Sequence, residues 1–410
     1  MAIQLNFSTQ KKKILILVSR GGGGHQAASN ALEQILSPEY EVEVNSVIDD
    51  ILGSMDPLKR LTRNYFTGED LYNFFLRRPQ LFLKWMVFCG PYYLKSQRIE
   101  KQFEKFLKTQ SEIPDLIISP TPYINYGISC VAHRWEIPFL IIPTDLDAST
   151  FLAGFPQNFN HHRLRFALPY DDPEIKKITF DRVVLNDHQC VVTGFPVRPN
   201  CQQKYGVEEL SFIRSKFHLL QFYKTITLIM GAIGGNALLD HVKTLIGLDP
   251  RHYQIQLQIN VCVGYNRKMQ SQIAHLLLQK KARSLQDHSF LLPNGLVIHI
   301  REYMKEIIEL MAASDLIITK TGSCTVNEAI YLGKKLLLDY TEKSTARYLA
   351  WEEFNIPFIQ KHGMGYAFTD SKQLLMLLPS LLKYPETNEV TFHLPNFTEI
   401  IQSTIREMTS

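Results

Sequence analysis

Residues 311–334 read MAASDLIITKTGSCTVNEAIYLGK, and the fold follows from how this stretch divides. Ala312, Ala313 and Ser314 close a helix, Leu316, Ile317 and Ile318 make a short apolar strand, and residues 321–325 form a turn of small residues. From Val326 onward, Val326, Ala329, Ile330 and Gly333 fall at helical spacing. The unpaired N–H groups of that helix's first turn point back at the turn, and such a terminus attracts phosphate. Gly322 lets a diphosphate approach the backbone, and Thr321, Ser323 and Thr325 supply further donors. Glu328, one turn inside, is placed to accept bonds from the two hydroxyls of a ribose. The same letters also fit an ordinary strand, turn and helix capped by Ser323 or Thr325.

The pattern recurs upstream. TITLIM at 225–230 reads as a buried strand, followed by Gly231, Ala232, Ile233, Gly234, Gly235 and Asn236 and a helix from about Ala237. Near the start, ILILV at 14–18 is a continuous apolar run, the mark of a parallel strand covered on both faces. It leads through Ser19, Arg20 and four glycines (Gly21, Gly22, Gly23, Gly24) to His25 and an Ala-rich helix. The glycines make a loop able to wrap closely round a substrate, and His25 stands at a helix mouth beyond a strand's carboxyl end, where ligands of open α/β sheets bind. Neither turn is a GxGxxG dinucleotide fingerprint or a P-loop. A strand, Gly-rich turn and helix in each half predict an α/β protein of two Rossmann-like domains facing across a cleft. The first spans residues 1–198 and the second 199–395, with a terminal helix in 396–410 that can cross back to the first. The run Gly194, Phe195, Pro196, Val197, Arg198, Pro199 reads as linker and hinge.

Composition bounds the rest. The 410 residues are 45% hydrophobic and 20% charged, with a net charge of +4, an ordinary globular balance too weakly basic to suggest nucleic acid. The six cysteines show no CxxC or metal-ligand spacing, so reduced thiols in a cytoplasmic setting are expected. No signal peptide is read at the N-terminus and no stretch approaches a membrane span, so membrane contact is expected to be peripheral. Residues 57–108 interleave cations (Lys59, Arg60, Arg63, Arg77, Arg78, Lys84) with aromatics (Phe82, Trp85, Phe88, Tyr92), a mixture that suits either an anionic lipid surface or inter-helix packing. Asp145 and Asp147 form the letters of a cation-binding DxD, yet the two-domain layout argues against a metal there, and none is expected.

With these segments in place, the chain resembles the GT-B glycosyltransferases of the monogalactosyldiacylglycerol synthase and processive diacylglycerol glucosyltransferase family. The residues that carry the resemblance are 19–25, 114–119, Pro143-Thr144-Asp145, 193–197, 230–235 and 311–329. It is similar also to the lipid I N-acetylglucosaminyltransferase of peptidoglycan synthesis. The resemblance implies an inverting, metal-independent hexosyltransferase with a UDP-sugar donor, no cofactor, and diacylglycerol or another lipid as acceptor at an anionic membrane surface. Uracil would lie near Tyr303 and Met304, the diphosphate at Gly231 and on Gly322, Ser323 and Thr325 with help from Lys320, and the ribose on Glu328. His25 would face the acceptor hydroxyl as base or positioner, with Gly22, Gly23, Gly24 and Asp145 lining that side.

The chain also departs from the family. Gly322-Ser323-Cys324-Thr325 stands where a Gly-Pro-Gly-Thr turn is usual, and no histidine and tryptophan follow Asp145. Residues 340–347 offer no counterpart to the Gln-Glu pair that contacts donor hydroxyls in many relatives. A polyprenyl-linked or soluble acceptor, or an idle nucleotide-sugar sensor, therefore stands beside the glycolipid reading.

Overall fold

The computed structural model describes residues 11–19, 23–53, 61–62, 96–159, 161–231, 237–342, 349–383 and 392–410. Gly22, the glycine turn after Gly231, residues 57–60 and 63–95 of the basic aromatic region, and residues 343–348 lie outside them.

Two sheets carry the chain. The first contains β1 (Lys13–Val18), β2 (Glu41–Ser46), β3 (Leu116–Ser119), β4 (Phe139–Ile141), β5 (Leu164–Leu168) and β6 (Cys190–Val192) in the order β2-β1-β3-β4-β5-β6, all parallel. The second contains β7 (Lys224–Ile229), β8 (Leu257–Gly264), β9 (Arg283–Ser284), β10 (Ser289–Leu291), β11 (Val297–Glu302), β12 (Leu316–Lys320), β13 (Lys335–Asp339) and β14 (Gly365–Phe368). Its order is β14-β13-β12-β7-β8-β11-β10-β9, parallel except for the last two strands. β11 lies inside the sheet, because the short β10 and β9 extend it beyond that strand.

The apolar runs pack as strands covered on both faces must. Leu15 and Leu17 enter one core and Ile14 and Ile16 another; Ile317 packs with the first core, whereas Leu316 and Ile318 join a third. One of these clusters spans both lobes. It joins Phe166 and Phe195 of the first to Val326, Ile330 and Phe358 of the second, with Tyr170 stacked on Phe358 at a centroid distance of 5.5 Å. The helix Phe397–Met408 returns to the first sheet, where Phe397, Ile401 and Ile405 are buried with Ile14 and Leu32 and Arg406 pairs with Glu39. Among the described residues no helix is long and apolar enough to cross a membrane.

The link between the lobes depends on Gly194. Its φ is +90°, and a Cβ there would stand 2.3 Å from the Tyr331 hydroxyl oxygen and 3.0 Å from the Pro395 carbonyl oxygen. That hydroxyl donates to the Pro395 carbonyl at 2.9 Å and accepts the Phe195 N–H at 3.2 Å. Gly194→Ala therefore combines left-handed strain with a clash at a fixed hydrogen bond, and should lower stability by about 3 kcal/mol in urea denaturation. A loss below about 0.5 kcal/mol would mean that the link accommodates a side chain.

Candidate functional site

Because the strands within each set are parallel, their carboxyl ends assemble along one edge of each sheet. In the second sheet these ends bring Gly231 after β7, Tyr265 after β8, Tyr303 and Met304 after β11, and Lys320 to Ser323 after β12 to the same side. In the first sheet they bring Gly24 and His25 after β1, Pro120 after β3, and Thr144 and Asp145 after β4.

The helix after β12 begins three residues earlier than its apolar spacing suggested. It spans Ser323–Tyr331 with Gly322 as N-cap, and no side chain caps it. Ser323 and Thr325 thus lie within the first turn, where its N–H groups are free of side-chain acceptors. The capped alternative fails on the same point. Ser323 turns its hydroxyl away, donating to Asp145 Oδ1 at 2.8 Å, while Cys324 Sγ donates to the Gly24 carbonyl at 3.4 Å. These two contacts press the start of the second-lobe helix onto the loop ends of the first lobe, one residue from His25.

Nδ1 of His25 lies 2.9 Å from the Pro120 carbonyl oxygen and 2.9 Å from Thr144 Oγ1. A carbonyl can only accept, so Nδ1 carries the ring proton and Nε2 keeps its lone pair. Burial lowers the imidazole pKa from 6.5 to about 4, only partly offset by the Pro120 bond. The ring is therefore neutral at any physiological pH, more firmly than a free imidazole. Gly23 is exposed and Gly24 partly so, and a Cβ at Gly24 would meet Cys324 Sγ at 3.2 Å.

Carboxylates crowd the cleft beside it. Asp145 is 8% exposed, and burial together with the charges of Glu352 and Asp147 raises its pKa to about 7 against the opposing Ser323 bond and Lys320. Lys320 Nζ stands 3.4 Å from Glu352 Oε1. Asn355 Nδ2 donates to the Thr321 carbonyl at 2.7 Å and to Ser323 Oγ at 3.0 Å, fixing the turn. Among the described residues Glu352 Oε2, Asn355 Oδ1 and Thr321 Oγ1 are buried without partners, so polar valence is left over beside the helix start. Tyr123, on the loop after Pro120, holds φ at +67°, and burial beside Asp145 and Asp147 pushes its phenol up to about 12. A bulky residue held left-handed beside the cleft is a strain that packing alone rarely selects.

Glu328 corrects the sequence reading. It is 5% exposed, and its Oε1 accepts from Arg198 Nε at 2.8 Å and Nη2 at 2.6 Å, so it is not the open ribose acceptor anticipated. Burying the carboxylate inside the helix required a cation, and the linker supplied one. Tyr303 is 49% exposed and stacks on Tyr265 with centroids 4.2 Å apart, whereas Met304 packs partly into the core. Gly231 has φ +86° and the nearest atom to a Cβ there is Lys320 Cε at 4.0 Å, so the end of β7 borders the lysine.

Sequence reasoning missed Glu352, Asn355 and Arg198. Glu352 lies beyond the stretch searched for an acidic partner, and the available signal was the pair of glutamates closing the segment before Phe354 and Asn355.

Residues 225–346 match the glycosyltransferase family 28 C-terminal domain. The chain is 26% identical over 387 residues to monogalactosyldiacylglycerol synthase 1, chloroplastic, of Arabidopsis thaliana, an alignment covering 88% of this chain and 63% of that protein. It thus spans about three fifths of that relative's length. Among solved structures, the chain superposes on Arabidopsis thaliana UGT89C1 complexed with UDP with a TM-score of 0.57 at 15% identity, covering 98% of this chain and all of that one. It superposes on Acinetobacter baumannii MurG with a TM-score of 0.55 at 13% identity, covering 97% and 99% of the two chains. The fold is GT-B.

The raised Asp145 pKa has a sign that can be tested. The folded state holds this proton more tightly than the unfolded chain, so the stability it contributes is complete below pH 4 and is lost as pH rises through 7. Asp145→Asn removes the charge and keeps an acceptor for Ser323. It should match the parent at pH 4 and exceed it at pH 8 by up to about 4 kcal/mol in urea melts. An equal difference at both pH values would show that Asp145 titrates normally.

Proposed function

We propose that this GT-B chain, a relative of the monogalactosyldiacylglycerol synthases, transfers a hexose from a UDP-sugar to the hydroxyl of diacylglycerol. The observation that supports the reading most strongly is the meeting of the two lobes at Ser323 with Asp145 and Cys324 with Gly24. It sets a neutral imidazole beside an uncapped helix start. The diphosphate rests on the N–H groups of Gly322, Ser323 and Thr325 and beside Gly231, with Lys320 at its edge. Uracil lies by Tyr303 and Met304, and Glu352 takes sugar hydroxyls through its unpartnered oxygen. Glu328 meets the ribose only alongside Arg198.

In the reaction, the acceptor oxygen forms its bond to the anomeric carbon as the bond from that carbon to the UDP oxygen breaks. The acceptor proton passes to His25 Nε2, and the configuration at the anomeric carbon inverts. A base with a low pKa is a weak one, so its value lies in remaining unprotonated and correctly turned. Negative charge gathering on UDP is met by backbone donors and Lys320, without a metal. The basic aromatic region of the sequence holds the protein on anionic lipid, where its acceptor is found.

Pure protein with UDP-galactose or UDP-glucose and diacylglycerol liposomes containing anionic lipid should yield a glycolipid detectable by mass spectrometry. No product with either donor overturns the glycolipid reading; product from a soluble acceptor without flotation on liposomes replaces its acceptor. His25→Ala should reduce kcat by about 10² to 10⁴ while leaving UDP affinity unchanged. Undiminished turnover in that variant would remove His25 from the chemistry.

A further inference from the structure

A second group of chemically able side chains lies on the other side of the first sheet from the cleft. His133 is at the end of the helix Asn125–Arg134, and His161 and His162 immediately precede β5, so all three gather at the amino ends of the strands. One ring nitrogen from each falls within 4.8 Å of the others, and the rings of His133 and His161 meet at a centroid distance of 4.7 Å. We propose that His133, His161 and His162 bind a borderline divalent cation, Zn²⁺ being the natural choice.

His161 is the fixed member. It is 1% exposed, its carbonyl accepts from Gln189 Nε2 at 3.2 Å, and its Nδ1 accepts the Arg163 N–H at 3.2 Å. Its other nitrogen, Nε2, is buried with no hydrogen-bond partner among the described residues. Because Nδ1 is an acceptor, Nε2 holds the ring proton, a buried donor facing nothing that can receive it. A cation at Nε2 removes that defect. The ring proton then resides on Nδ1, and the long Arg163 contact is given up, so no net proton leaves this ring.

His133 and His162 are exposed and free to turn. A tetrahedral zinc ion with Zn–N near 2.0–2.1 Å needs nitrogens about 3.4 Å apart, closer than they stand, so these two rings close in on the fixed one. Imidazole donors favour zinc, nickel or copper over magnesium or calcium. Glu136, whose Oε2 lies 3.9 Å from His162 Nε2, can serve as fourth ligand or orient that ring. Arg163 opposes the ion, with Nε 3.8 Å from the same carboxylate oxygen, and keeps the affinity moderate. The site lies away from the reaction and clamps the end of one helix to the start of β5, so its effect is on stability.

The test uses the full chain stripped with EDTA and titrated with ZnCl₂ by calorimetry, with Co²⁺ absorption as a second readout. One ion per chain at micromolar affinity is expected, with a rise of several degrees in Tm and none with Mg²⁺. The double variant His133→Asn, His162→Gln changes only exposed side chains. It should bind at least tenfold more weakly and lose the Tm shift, with UDP binding unaltered. Absence of saturable binding, or binding that survives the double variant, overturns the proposal, whether or not the transferase reading stands.

Discussion

The arrangement rests on one buried polar chain that ties the second-lobe helix to the first lobe. Tyr170, fully buried in the first lobe, donates to Asn327 Oδ1 at 2.6 Å, and Asn327 Nδ2 donates to the Ser323 carbonyl at 2.8 Å. Ser323 in turn donates to Asp145. Each group is nearly or wholly out of water, so a break anywhere leaves an unpaired polar atom inside protein. Apolar contact would have joined the lobes in many registers. This chain selects one, and in it the helix start faces His25.

The same constraint explains why the local chemistry departs from that of isolated side chains. His25 is neutral because it is packed, and oriented because Pro120 can only accept. The Asp145 pKa is raised to about 7 because the carboxyl is buried, with Glu352 and Asp147 near it. Glu328 is neutralised by Arg198, a residue of the linker. In each case the property belongs to contacts between distant segments and cannot be assigned to a residue in isolation.

That distinction also marks what could be read from the chain. The parallel strands at 14–18 and 225–230 and the terminal helix were legible because continuous apolar runs and helical spacing are local signals, whereas the turn read at 321–325 is shorter, the helix starting at Ser323. β5 and β14 were missed because LRFAL and GYAF are short and interrupted, and their strand character comes from neighbours in the sheet. The approach of Gly24 to Cys324 was implied by the topology of two facing sheets. The Arg198 to Glu328 pair was not, since nothing in either segment announces a partner 130 positions away.

A hinge at the linker has to be weighed against the shared core. Phe195 is itself buried in the cluster that includes Tyr170, Val326 and Phe358, so rotation about the linker would open apolar surface. Asp172 adds an ion pair to Lys361 at 2.9 Å and a contact to His362 Nε2 at 3.2 Å on the same side. Among the described residues the contacts at the cleft are fewer: a hydroxyl on Asp145 and a thiol on a carbonyl. Movement that opens the cleft therefore costs least when it separates Ser323 from Asp145 and Cys324 from Gly24 while the core below stays closed, because water entering there takes over the hydrogen bonds that are given up. Of these contacts, the one at Asp145 is sensitive to charge. Ionising that carboxyl near Glu352 and Asp147 adds repulsion within the wall, and the approach of Lys320 or a change in pH alters that repulsion at the point where the lobes must part.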